Sequence, residues 1–518
     1  MMNRGTSFIF AIAVLVGTSS VHCQDGALDP SFGTQGKVTA DFGELYDYAY
    51  AATIQPDGRI VVAGRSGASE WYAAMAVARF NTDGTLDASF GDGGQVITII
   101  GAEADEAHAV LVQPDGKVLV GGSTYSGTAE NFALARYDAD GSLDPLFGSG
   151  GIVTTPMSDS PDEVRGMALL PDGRILAVGY SWVGSIGAFA VARYLSDGTL
   201  DATFGAGGKV NTPLGTSYAG ARDVVLLPDG RFVVAGSSVP GSDSNATLVR
   251  YNADGSVDNT FGVAGAVTTH MTSAQDVIWK IHLLPSGGLL VAGSSGTNMF
   301  VARYDAEGTL DGAFGTDGIV TTDLTSAIAE CGLAVQADDK ILVAANAHVG
   351  GDNDVALVRF TVDGVLDPTF GGDGLVTTAF GNAADYAHAV AIQSDHRIVI
   401  AGSGFVGMGH GTDFILARYL TDLHVGVIDA ETGISASFIY PDPLDDKATF
   451  SYALSRDASV TLRVIDVNGR SVRTLLSDAR RSSGEQREVL DLTGLAAGHY
   501  TLVLSGAEGA VCVRVVKR

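Results

Sequence analysis

An all-β fold is predicted by three features of the sequence. A unit of four strand-like pieces occurs seven times in succession, each piece is short and apolar or alternating, and Gly supplies 68 of the 518 residues, which suits many tight turns. Seven copies of a four-stranded unit predict a seven-bladed β-propeller. From about residue 437 the pattern changes to short alternating strands, which predict a small Ig-like β-sandwich.

The first hairpin of each copy is its clearest element. In the first copy, residues 54–64 form two apolar pieces joined by Pro-Asp-Gly at 56–58, where Pro presets one turn dihedral and Gly accepts a positive one. A third strand is predicted at 75–80 and a fourth at 95–98. Close relatives of the hairpin begin at Val112, Leu169, Leu226, Leu283, Val335 and Ile392.

A second element gives the spacing of the copies. The pattern Leu/Val-Asp-x-x-Phe-Gly recurs every 53 to 58 residues, with its aspartates at Asp29, Asp87, Asp144, Asp201, Asp258, Asp311 and Asp367. An open β-solenoid is the competing architecture, but it requires atypical capping repeats at its two ends. Here the ends are complementary, because residues 28–39 supply only a fourth strand and the last copy supplies strands one to three. We predict that Lys37 and Val38 complete the blade formed by residues 386–420 and close the ring.

Composition indicates a globular protein with an acidic main region. Only 17% of residues are charged and 46% are hydrophobic, so a large core is available. Residues 24–436 contain 19 Lys and Arg against 49 Asp and Glu, a formal charge of −30, whereas residues 437–518 contain 11 against 10. The acidic region is therefore a poor candidate for binding nucleic acid or an anionic membrane surface.

The amino terminus has the features of a signal peptide. Arg4 gives a positive start, residues 8–16 an apolar run too short to span a bilayer, and residues 17–20 the small side chains that precede cleavage. A lipid anchor on Cys23 is disfavoured, because His22 stands where a small residue is required. No later segment is long and apolar enough to predict a transmembrane helix.

The predicted division has four parts, and it separates the cysteines that remain after export. Cys331 and Cys512 fall in different domains, so no disulfide framework is predicted and stability must come from packing. The parts are a signal peptide at 1–23, a propeller at 24–420, a linker at 421–436 and the β-sandwich at 437–518.

One charged column accompanies the repeated aspartates. An Arg late in the third strand, followed by Tyr or Phe, occurs in all seven copies. Equal numbers at fixed spacing predict seven structural Arg–Asp pairs, within blades or at their junctions, because the planar guanidinium can donate two hydrogen bonds to a carboxylate. The arginines are Arg79, Arg136, Arg193, Arg250, Arg303, Arg359 and Arg418.

The turn at 138–144 invites a calcium interpretation, since oxygen-bearing side chains occupy alternate positions as in the start of an EF-hand loop. The other copies favour a plain turn, because no bidentate Glu follows and the first position varies. In those copies it holds Asn81, Leu195, Asn252, Asp305, Thr361 and Thr421.

A variable column lies six residues before the hairpin Pro position. The first strand of a propeller blade usually lines the axis, so these side chains are predicted to ring one mouth of the central channel. The alternative is that these side chains are ordinary packing residues, which fill the space between blades at the start of the first strand. The column reads Tyr50, His108, Arg165, Arg222, Trp279, Cys331 and His388.

The loops between second and third strands are predicted to open on the same face as this mouth. Variety on this face is compatible with recognition, whereas the uniform turns on the opposite face need only turn chemistry. The loop aromatics are Trp71, Tyr72, Tyr125, Trp182 and Phe405. The predicted ligand-binding residues are Tyr50, His108, Arg165, Arg222, Trp279, His388, Trp71 and Trp182.

The repeat resembles the delta-60 repeat family of β-propellers. The matching stretches are Leu143–Gly148, Pro171–Arg174 and Ala192–Tyr194, and the pattern covers residues 28–420. The resemblance implies a fold and carries no catalytic set. The layout is also similar to NHL-type propellers, which imply the strand order and hence the ring closure. Copies six and seven depart from Pro-Asp-Gly-Arg at 337–340 and 394–397.

The C-terminal segment resembles the type A sorting domain of the type IX secretion system of Bacteroidetes-like bacteria. It contains alternating strands and an Asn-Gly turn at 468–469, a strong hairpin signal. The resemblance implies export to the periplasm, passage across the outer membrane through recognition of residues 437–518, proteolytic removal, and release or surface attachment. An accessory sandwich of unrelated role is the alternative. The motif residues are Pro441, Pro443, Asp466, Gly469, Arg470, Gly498, Tyr500 and Lys517.

Three functions are open at this point: a non-catalytic secreted or cell-surface propeller that binds a glycan or protein, an extracellular polysaccharide hydrolase or lyase, and a structural surface component. No local nucleophile motif, HExxH helix or Cys/His metal set occurs, so no catalytic residue, metal or cofactor is predicted. Carboxylates from different blades could still meet, with Glu106, Glu163 and Glu330 as candidates. Two carboxylates about 5–10 Å apart at the mouth would favour catalysis, and aromatic platforms without them would favour binding. We expect a monomer without a nucleic-acid partner.

Overall fold

The computed structural model describes residues 25–69, 71–125, 127, 129–271, 275–326, 330–405, 411–421, 434–440, 446–466, 471–496, 498–506 and 509–517. All regular elements within these ranges are β-strands, and none of the described segments is a helix that could cross a membrane. The predicted signal peptide, with Cys23, lies outside the described residues.

The strands of the main region form successive antiparallel four-stranded units. The first three units contain β2 (Tyr46–Ile54), β3 (Ile60–Ser69), β4 (Tyr72–Phe80), β5 (Gln95–Thr98), β6 (Asp105–Val112), β7 (Val118–Tyr125), β8 (Glu130–Tyr137), β9 (Ile152–Thr155), β10 (Glu163–Leu169), β11 (Ile175–Val183), β12 (Ile186–Tyr194) and β13 (Lys209–Pro213).

The next three units contain β14 (Ala219–Leu226), β15 (Phe232–Ser238), β16 (Asn245–Tyr251), β17 (Ala266–Thr269), β18 (Asp276–Leu283), β19 (Leu289–Ser295), β20 (Asn298–Tyr304), β21 (Ile319–Asp323), β22 (Gly332–Val335), β23 (Ile341–Val349), β24 (Asp352–Phe360) and β25 (Leu375–Thr378). The last unit contains β26 (Asp385–Ile392), β27 (Ile398–Phe405), β28 (Thr412–Tyr419) and the N-terminal strand β1 (Lys37–Ala40).

The two ends of this region meet in one sheet. β1 pairs antiparallel with β28, with Lys37 opposite Ala417 and Val38 opposite Leu416, which is the predicted pairing. The first strand of each unit contacts the first strand of the next, and β26 contacts β2. The result is a closed, propeller-like arrangement of repeated four-stranded sheets.

Packing between neighbouring units supplies the core. The apolar side chains fall into seven buried clusters in this region, and each cluster takes residues from two adjacent units. One cluster, for example, combines Val61 and Val77 of the first unit with Val110 and Val120 of the second. A single unit therefore cannot bury its own apolar faces, and stability depends on the neighbours.

The seven Arg and seven Asp side chains of the repeat meet in pairs. Each Arg Nε lies 2.7–2.9 Å from its Asp Oδ2. Each guanidinium also lies over a Phe ring, 4.4–4.8 Å from its centroid. Six arginines donate a further hydrogen bond to a carbonyl of the following unit, as Arg79 does to Ala139 at 2.6 Å. The pair is formed within a unit and the same Arg ties that unit to the next.

The hairpin turns place their third residue in the left-handed backbone region. Gly58 has φ 87°, and the glycines of the following four copies have similar values. In copies six and seven the position is held by Asp339 and His396, with φ 64° and 68°. The departures noted in sequence therefore keep the turn, but they place residues with a Cβ where Gly is favoured.

A second acidic column was not singled out from sequence. An Asp near the start of the first strand is fully buried in five units, and it accepts a hydrogen bond from the backbone N–H five residues earlier, which closes the entry loop. Burial raises the pKa of Asp47 and of Asp385 to about 6. The five residues are Asp47, Asp105, Asp162, Asp276 and Asp385.

The C-terminal region forms two sheets around its own core. One sheet has the order β29-β30-β33 and the other β32-β31-β34-β35, and buried residues of both, such as Phe450 and Leu504, share one cluster. Its first strand begins at Ile434, inside the segment predicted as a linker. The strands are β29 (Ile434–Tyr440), β30 (Lys447–Leu454), β31 (Ala458–Asp466), β32 (Ser471–Arg481), β33 (Gly484–Asp491), β34 (Gly498–Gly506) and β35 (Gly509–Lys517).

Four of the eight sorting-motif residues lie among the described residues, and two of them are placed by side-chain contacts. Tyr500 is buried and its hydroxyl donates to the Ala496 carbonyl at 2.8 Å. The Lys517 ammonium is buried against Asp446 at 2.8 Å, and Gly498 begins β34. Asp466 ends β31. The other motif residues, Pro441, Pro443, Gly469 and Arg470, lie outside the described residues.

Candidate functional site

A β-bulge aims the variable column toward the axis. In six of the seven first strands the pairing register shifts at this column, as at Tyr50 between Ala49 and Ala51. The extra residue of a bulge is unpaired, so its side chain is re-aimed relative to its neighbours. In the remaining unit Cys331 directly precedes β22. The local backbone of each unit thus directs one side chain of the variable column toward the axis.

The structure brings six of these residues into one pocket. They are joined there by Lys280 and Glu330, and the pocket has a volume of about 20 Å³. A water molecule needs roughly 10–15 Å³, so the pocket admits about one small polar group. The six residues are Tyr50, His108, Arg165, Arg222, Trp279 and Cys331.

A larger cavity of about 220 Å³ lies against the same residues and continues along the axis. The position after the variable column lines it, and that position is small in five units: Ala51, Ala109, Gly166, Gly332 and Ala389. His108, Arg165 and Lys280 line both spaces. These three side chains therefore separate the mouth pocket from the channel.

The three glutamates singled out from sequence join the column in one ionic network. His108 Nε2 lies 2.5 Å from Glu163 and 3.0 Å from Glu106. Arg165 lies 2.9 Å from Glu163 and 3.0 Å from Glu330. Arg65 pairs with Glu106.

His388 completes the network from the last unit. Its Nδ1 lies 3.4 Å from Glu330, and its ring stands edge-on to Tyr50 with 5.7 Å between centroids. The Tyr50 ring also stacks on His108 at 4.5 Å. Residues from five units are thereby locked together at the mouth.

The charges of this network are mutually stabilised. Burial would raise the pKa of Glu163, but Arg165 and His108 outweigh it and hold the pKa at about 2. The pKa values of Glu106 and Glu330 are also lowered despite burial, with the neighbouring His108 and His388 side chains, respectively, as the main opposing causes. Burial and Arg165 oppose protonation of His108, yet Glu163 and Glu106 raise its pKa. All three carboxylates are therefore ionised near neutral pH.

Glu106, His108 and Glu163 could each offer a metal ligand, since one atom of each lies within 4.8 Å of the others. The set is already engaged, however. Both carboxylates are paired with arginines, and both contact the same nitrogen of His108. A metal would have to displace these internal cations. The cluster is therefore better suited to a network of buried ion pairs than to a metal centre.

The opposite side of the pocket is cationic and aromatic. The Arg222 guanidinium lies over the Trp279 ring, 4.6 Å from its centroid, and donates only a long bond of 3.4 Å to the Tyr218 hydroxyl. Trp279 is fixed by a hydrogen bond from its indole N–H to Ser294, 2.9 Å. Within the described part of the chain, no carboxylate lies within 4.0 Å of Arg222 or Lys280. Two positive side chains thus face the pocket without a bonded counter-ion.

Trp71 and Trp182, also predicted to bind ligand, do not line this pocket. The Trp71 side chain is 75% exposed between β3 and β4, and Trp182 is half-buried in β11. Tyr72, Tyr125 and Phe405 likewise stand outside the pocket. In the turn at 138–144, Asp140 accepts hydrogen bonds from the Ser142 N–H and hydroxyl.

Lys280 of the pocket and Arg65 of the ionic network were not identified from the sequence, although a signal was present. Lys280 occupies the column that is small in five units, and only Asp223 breaks that column besides. Arg65 stands where Ser123, Ser294 and other small polar residues occur. Both residues are large and charged at repeat positions that are small in most other units and face inward. This difference could have identified them.

Comparison with known families and structures gives two matches along the chain. Residues 55–90, 113–147, 170–204, 227–261, 284–314 and 336–370 match the model described as domain of unknown function (DUF5122) beta-propeller. Residues 438–518 match the secretion system C-terminal sorting domain. No curated protein matches the chain.

Solved structures with similar chain traces include several propeller-like proteins. An inactive virginiamycin B lyase from Staphylococcus aureus with quinupristin is 11% identical, with TM-score 0.45, covering 74% of this chain and 98% of that one. Sqt1 from Chaetomium thermophilum is 12% identical, with TM-score 0.41, covering 76% and 98%. A PQQ-bound aldose sugar dehydrogenase from Streptomyces coelicolor is 15% identical, with TM-score 0.36, covering 60% and 94%.

The two resemblances drawn from the repeat and from the C-terminal motif are confirmed by the family matches. The chain carries DUF5122 β-propeller repeats followed by a type IX secretion-system C-terminal sorting domain.

Proposed function

We propose that this chain is an exported, non-catalytic seven-bladed β-propeller that binds an acidic extracellular glycan at the mouth of its central channel. The propeller would occupy residues 24–420, and residues 437–518 would be an Ig-like sandwich recognised by the type IX machinery. The closing pair of β1 and β28 and the seven shared cores support the blade count. The sorting domain supports release from the cell or attachment to its surface.

The observation that carries the ligand class is the pair of cations at the mouth of an acidic propeller, Arg222 and Lys280, which have no carboxylate within 4.0 Å among the described residues. Stacking on Trp279 holds the guanidinium flat and leaves its N–H edge available to a carboxylate. The pocket of about 20 Å³ admits one such group and not a whole sugar ring. A uronic acid residue fits this description, with its carboxylate inserted and its ring outside the pocket.

Catalysis is the second candidate, because oxygens of Glu106 and Glu163 lie within 4.8 Å of each other. Glycoside hydrolysis by two carboxyl groups needs one of them protonated. The pKa values of Glu106, Glu163 and Glu330 are all lowered. This arrangement supports fixed charges rather than an acid–base pair, and binding is therefore preferred.

A glycan array probed with the purified mature chain tests the ligand class. We expect acidic glycans to bind and neutral glycans of the same backbone to be ignored. Arg222→Gln and Lys280→Gln should weaken binding at least about tenfold, since each removes one charge-assisted contact. Lys209→Gln, which removes a propeller cation away from the pocket, is the matched control and should bind normally.

Four outcomes would contradict this function. Equal binding by Arg222→Gln would place the site elsewhere, and release of shorter sugars from the array would indicate a hydrolase or lyase. Selective capture of acidic peptides without glycans would assign a protein ligand. Absence of binding and of sugar release in all assays would favour a structural role at the cell surface.

Export is tested separately by deleting residues 437–518. We expect the truncated chain to accumulate in the periplasm, because the sorting domain that the type IX machinery recognises is absent. The full chain expressed in the same strain is the control. Appearance of the truncated protein outside intact cells would reject the proposed role of this domain.

A further inference from the structure

We infer that the mouth pocket continues into a ladder of three tyrosines, Tyr50, Tyr48 and Tyr46, which binds the sugar rings that adjoin the uronic acid in the pocket. This inference rests on the proposed function and deepens it, because it makes the ligand a chain of acidic sugars and not a single one. The pocket of about 20 Å³ takes one carboxylate, so the remaining rings of the glycan lie outside it. We call these three residues the tyrosine ladder.

The tyrosine ladder follows one face of β2 away from the pocket. Tyr50 lines the pocket and Tyr46 begins the strand. Alternate residues of a strand point to the same face, and here the tyrosines are half-buried, while Asp47 and Ala49 between them are buried. The Tyr50 and Tyr48 ring centroids are 6.3 Å apart with 6° between the planes, and those of Tyr48 and Tyr46 are 6.5 Å apart with 19°. The rings therefore form a regular, nearly parallel row.

The tyrosine ladder is not part of the hydrophobic core. The two buried clusters that flank the first unit contain none of its residues. Five other tyrosines of the repeat, at the end of the third strand, are at most 1% exposed, and their hydroxyls bond a Thr at 2.7–3.0 Å, as Tyr137 does with Thr98. The hydroxyls of the ladder make no such bond to any residue that the structure describes. Rings and hydroxyls of the ladder are thus available to a ligand.

Neighbouring side chains hold the tyrosine ladder in place without covering it. The ring in the pocket stacks on His108, with 4.5 Å between centroids. Arg65 stands opposite Tyr48 on β3, and its guanidinium lies 4.9 Å from the centre of that ring. Gly67 stands opposite Tyr46, so no β3 side chain covers the outermost ring. Rings that are fixed before binding lose little conformational freedom when a ligand arrives, which favours affinity.

The other copies of the repeat lack this row. Only the first copy has an aromatic residue at all three positions. In the second copy, for example, Ala104 and Glu106 stand at the positions of Tyr46 and Tyr48, and Glu106 belongs to the ionic network. A glycan chain that leaves the mouth pocket therefore finds a continuous aromatic surface on one unit, and this gives the bound chain a direction.

The chemistry of the tyrosine ladder fits sugar rings. A tyrosine side chain has an apolar face and a polar tip, and a pyranose likewise presents C–H groups on its faces and hydroxyls at its edge. Ligand sites commonly combine aromatic surface with a few polar groups that fix orientation. Arg222 and Lys280 recognise the charge of the first sugar, and the ladder recognises the rings of the sugars that follow. An acidic polymer is therefore expected to bind more tightly than its monomer.

The test is a length series of galacturonic acid, digalacturonate and tetragalacturonate, titrated by calorimetry into the mature full chain. We expect tetragalacturonate to bind at least about tenfold more tightly than galacturonic acid, because it contacts two further rings. Tyr46→Ala and Tyr48→Ala should each weaken tetragalacturonate binding about three- to tenfold. Tyr72→Ala is the matched control, since Tyr72 is a 65% exposed tyrosine of the same unit outside the ladder, and it should bind every ligand as the wild type does.

Two further titrations separate the ladder from the pocket and from charge alone. The affinity of Tyr46→Ala and Tyr48→Ala for galacturonic acid should equal that of the wild type, which also shows that these variants are folded at the mouth. Tetraglutamate carries repeated carboxylates without sugar rings, so its affinity should not depend on Tyr46. A loss of tetraglutamate binding in Tyr46→Ala equal to the loss of tetragalacturonate binding would assign the ladder to a peptide and overturn the inference.

The remaining outcomes distinguish the ladder from the proposed function. Equal affinity for all three galacturonates, together with weaker binding by Arg222→Gln, would overturn the ladder and leave the pocket in place. Undiminished binding of tetragalacturonate by both tyrosine variants would overturn the ladder in the same way. Absence of binding at every length would reject recognition of acidic sugars at the mouth, and the ladder with it.

Discussion

Two columns of the same repeat behave in opposite ways. The Arg–Asp column is identical in all seven units, and each pair finds its partners in the same local turn and in the next unit. The variable column differs in almost every unit. Tyr50 contacts His108 and His388 of the neighbouring units, and Arg165 pairs with Glu330 of the sixth unit. The residue type is the same in every unit where the side chain makes the same local contacts. It varies where the side chains of the seven units face one shared space at the axis.

Breaking one pair of the repeated column should have the largest effect. Asp29→Ala leaves the buried Arg418 and the half-buried Arg397 without their shared carboxylate, which lies 2.9 and 2.8 Å from them. We expect a loss of about 3–5 kcal/mol in the free energy of unfolding, measured by chemical denaturation. Asp311→Ala is the matched control, because the Asp311 side chain is 38% exposed, and it should cost about 1 kcal/mol or less. Equal losses would show that burial does not govern these pairs.

The ionic network of the variable column should show its contribution in acid. Because the folded-state pKa of Glu163 is about 2 against an ordinary value of 4.5, its stabilising effect is complete above about pH 4.5 and is lost as the pH falls toward 2. The contribution is on the order of 3 kcal/mol.

Glu163→Gln tests this by denaturation at several pH values. The variant should be less stable than wild type at pH 7, and the difference should shrink below pH 4.5. A difference that stays constant across this range would assign the loss to packing rather than to charge.

Paired tryptophan variants separate the pocket from the exposed loops. Trp279→Ala removes the platform under Arg222 and should weaken binding of an acidic glycan about tenfold, the loss of roughly one good contact. Trp71→Ala removes an exposed indole outside the pocket and should leave the dissociation constant unchanged. Isothermal titration of both variants checks this, and the reverse result would move recognition to the loops.

The smallest effect is expected at the irregular hairpin turns. His396→Gly replaces a residue held at φ 68° and should raise the free energy of unfolding by about 0.5–1 kcal/mol. Gly173→Ala, at the same turn position of the third copy, should lower it, since its φ is 85°. Denaturation curves that show no change for His396→Gly would mean that this turn relaxes without cost.

Local repetition explains how much of the fold could be predicted. The hairpins, the Arg–Asp column and the closing pair of Lys37 with Ala417 follow from patterns within one copy or from complementary ends. The variable column was found by the same means. Its bulge was not, because a register shift is set by pairing with the next strand and leaves no mark in the residue types.

The rest of the site could not be predicted because it is assembled across units. Arg65 reaches Glu106 over 41 positions, and Arg165 reaches Glu330 over 165. Such partners depend on the curvature of the ring, which sequence spacing does not supply. The buried Asp47 column was regular enough to be seen, but its role appears only once the entry loops are folded.

A crystal structure of the mature chain with an oligogalacturonate tests the central claim most directly. We predict one carboxylate in the mouth pocket, with its oxygens about 3 Å from the Arg222 guanidinium and the Lys280 ammonium. A ligand bound elsewhere on the propeller, with the mouth pocket and its two cations untouched, would contradict the assignment of this site.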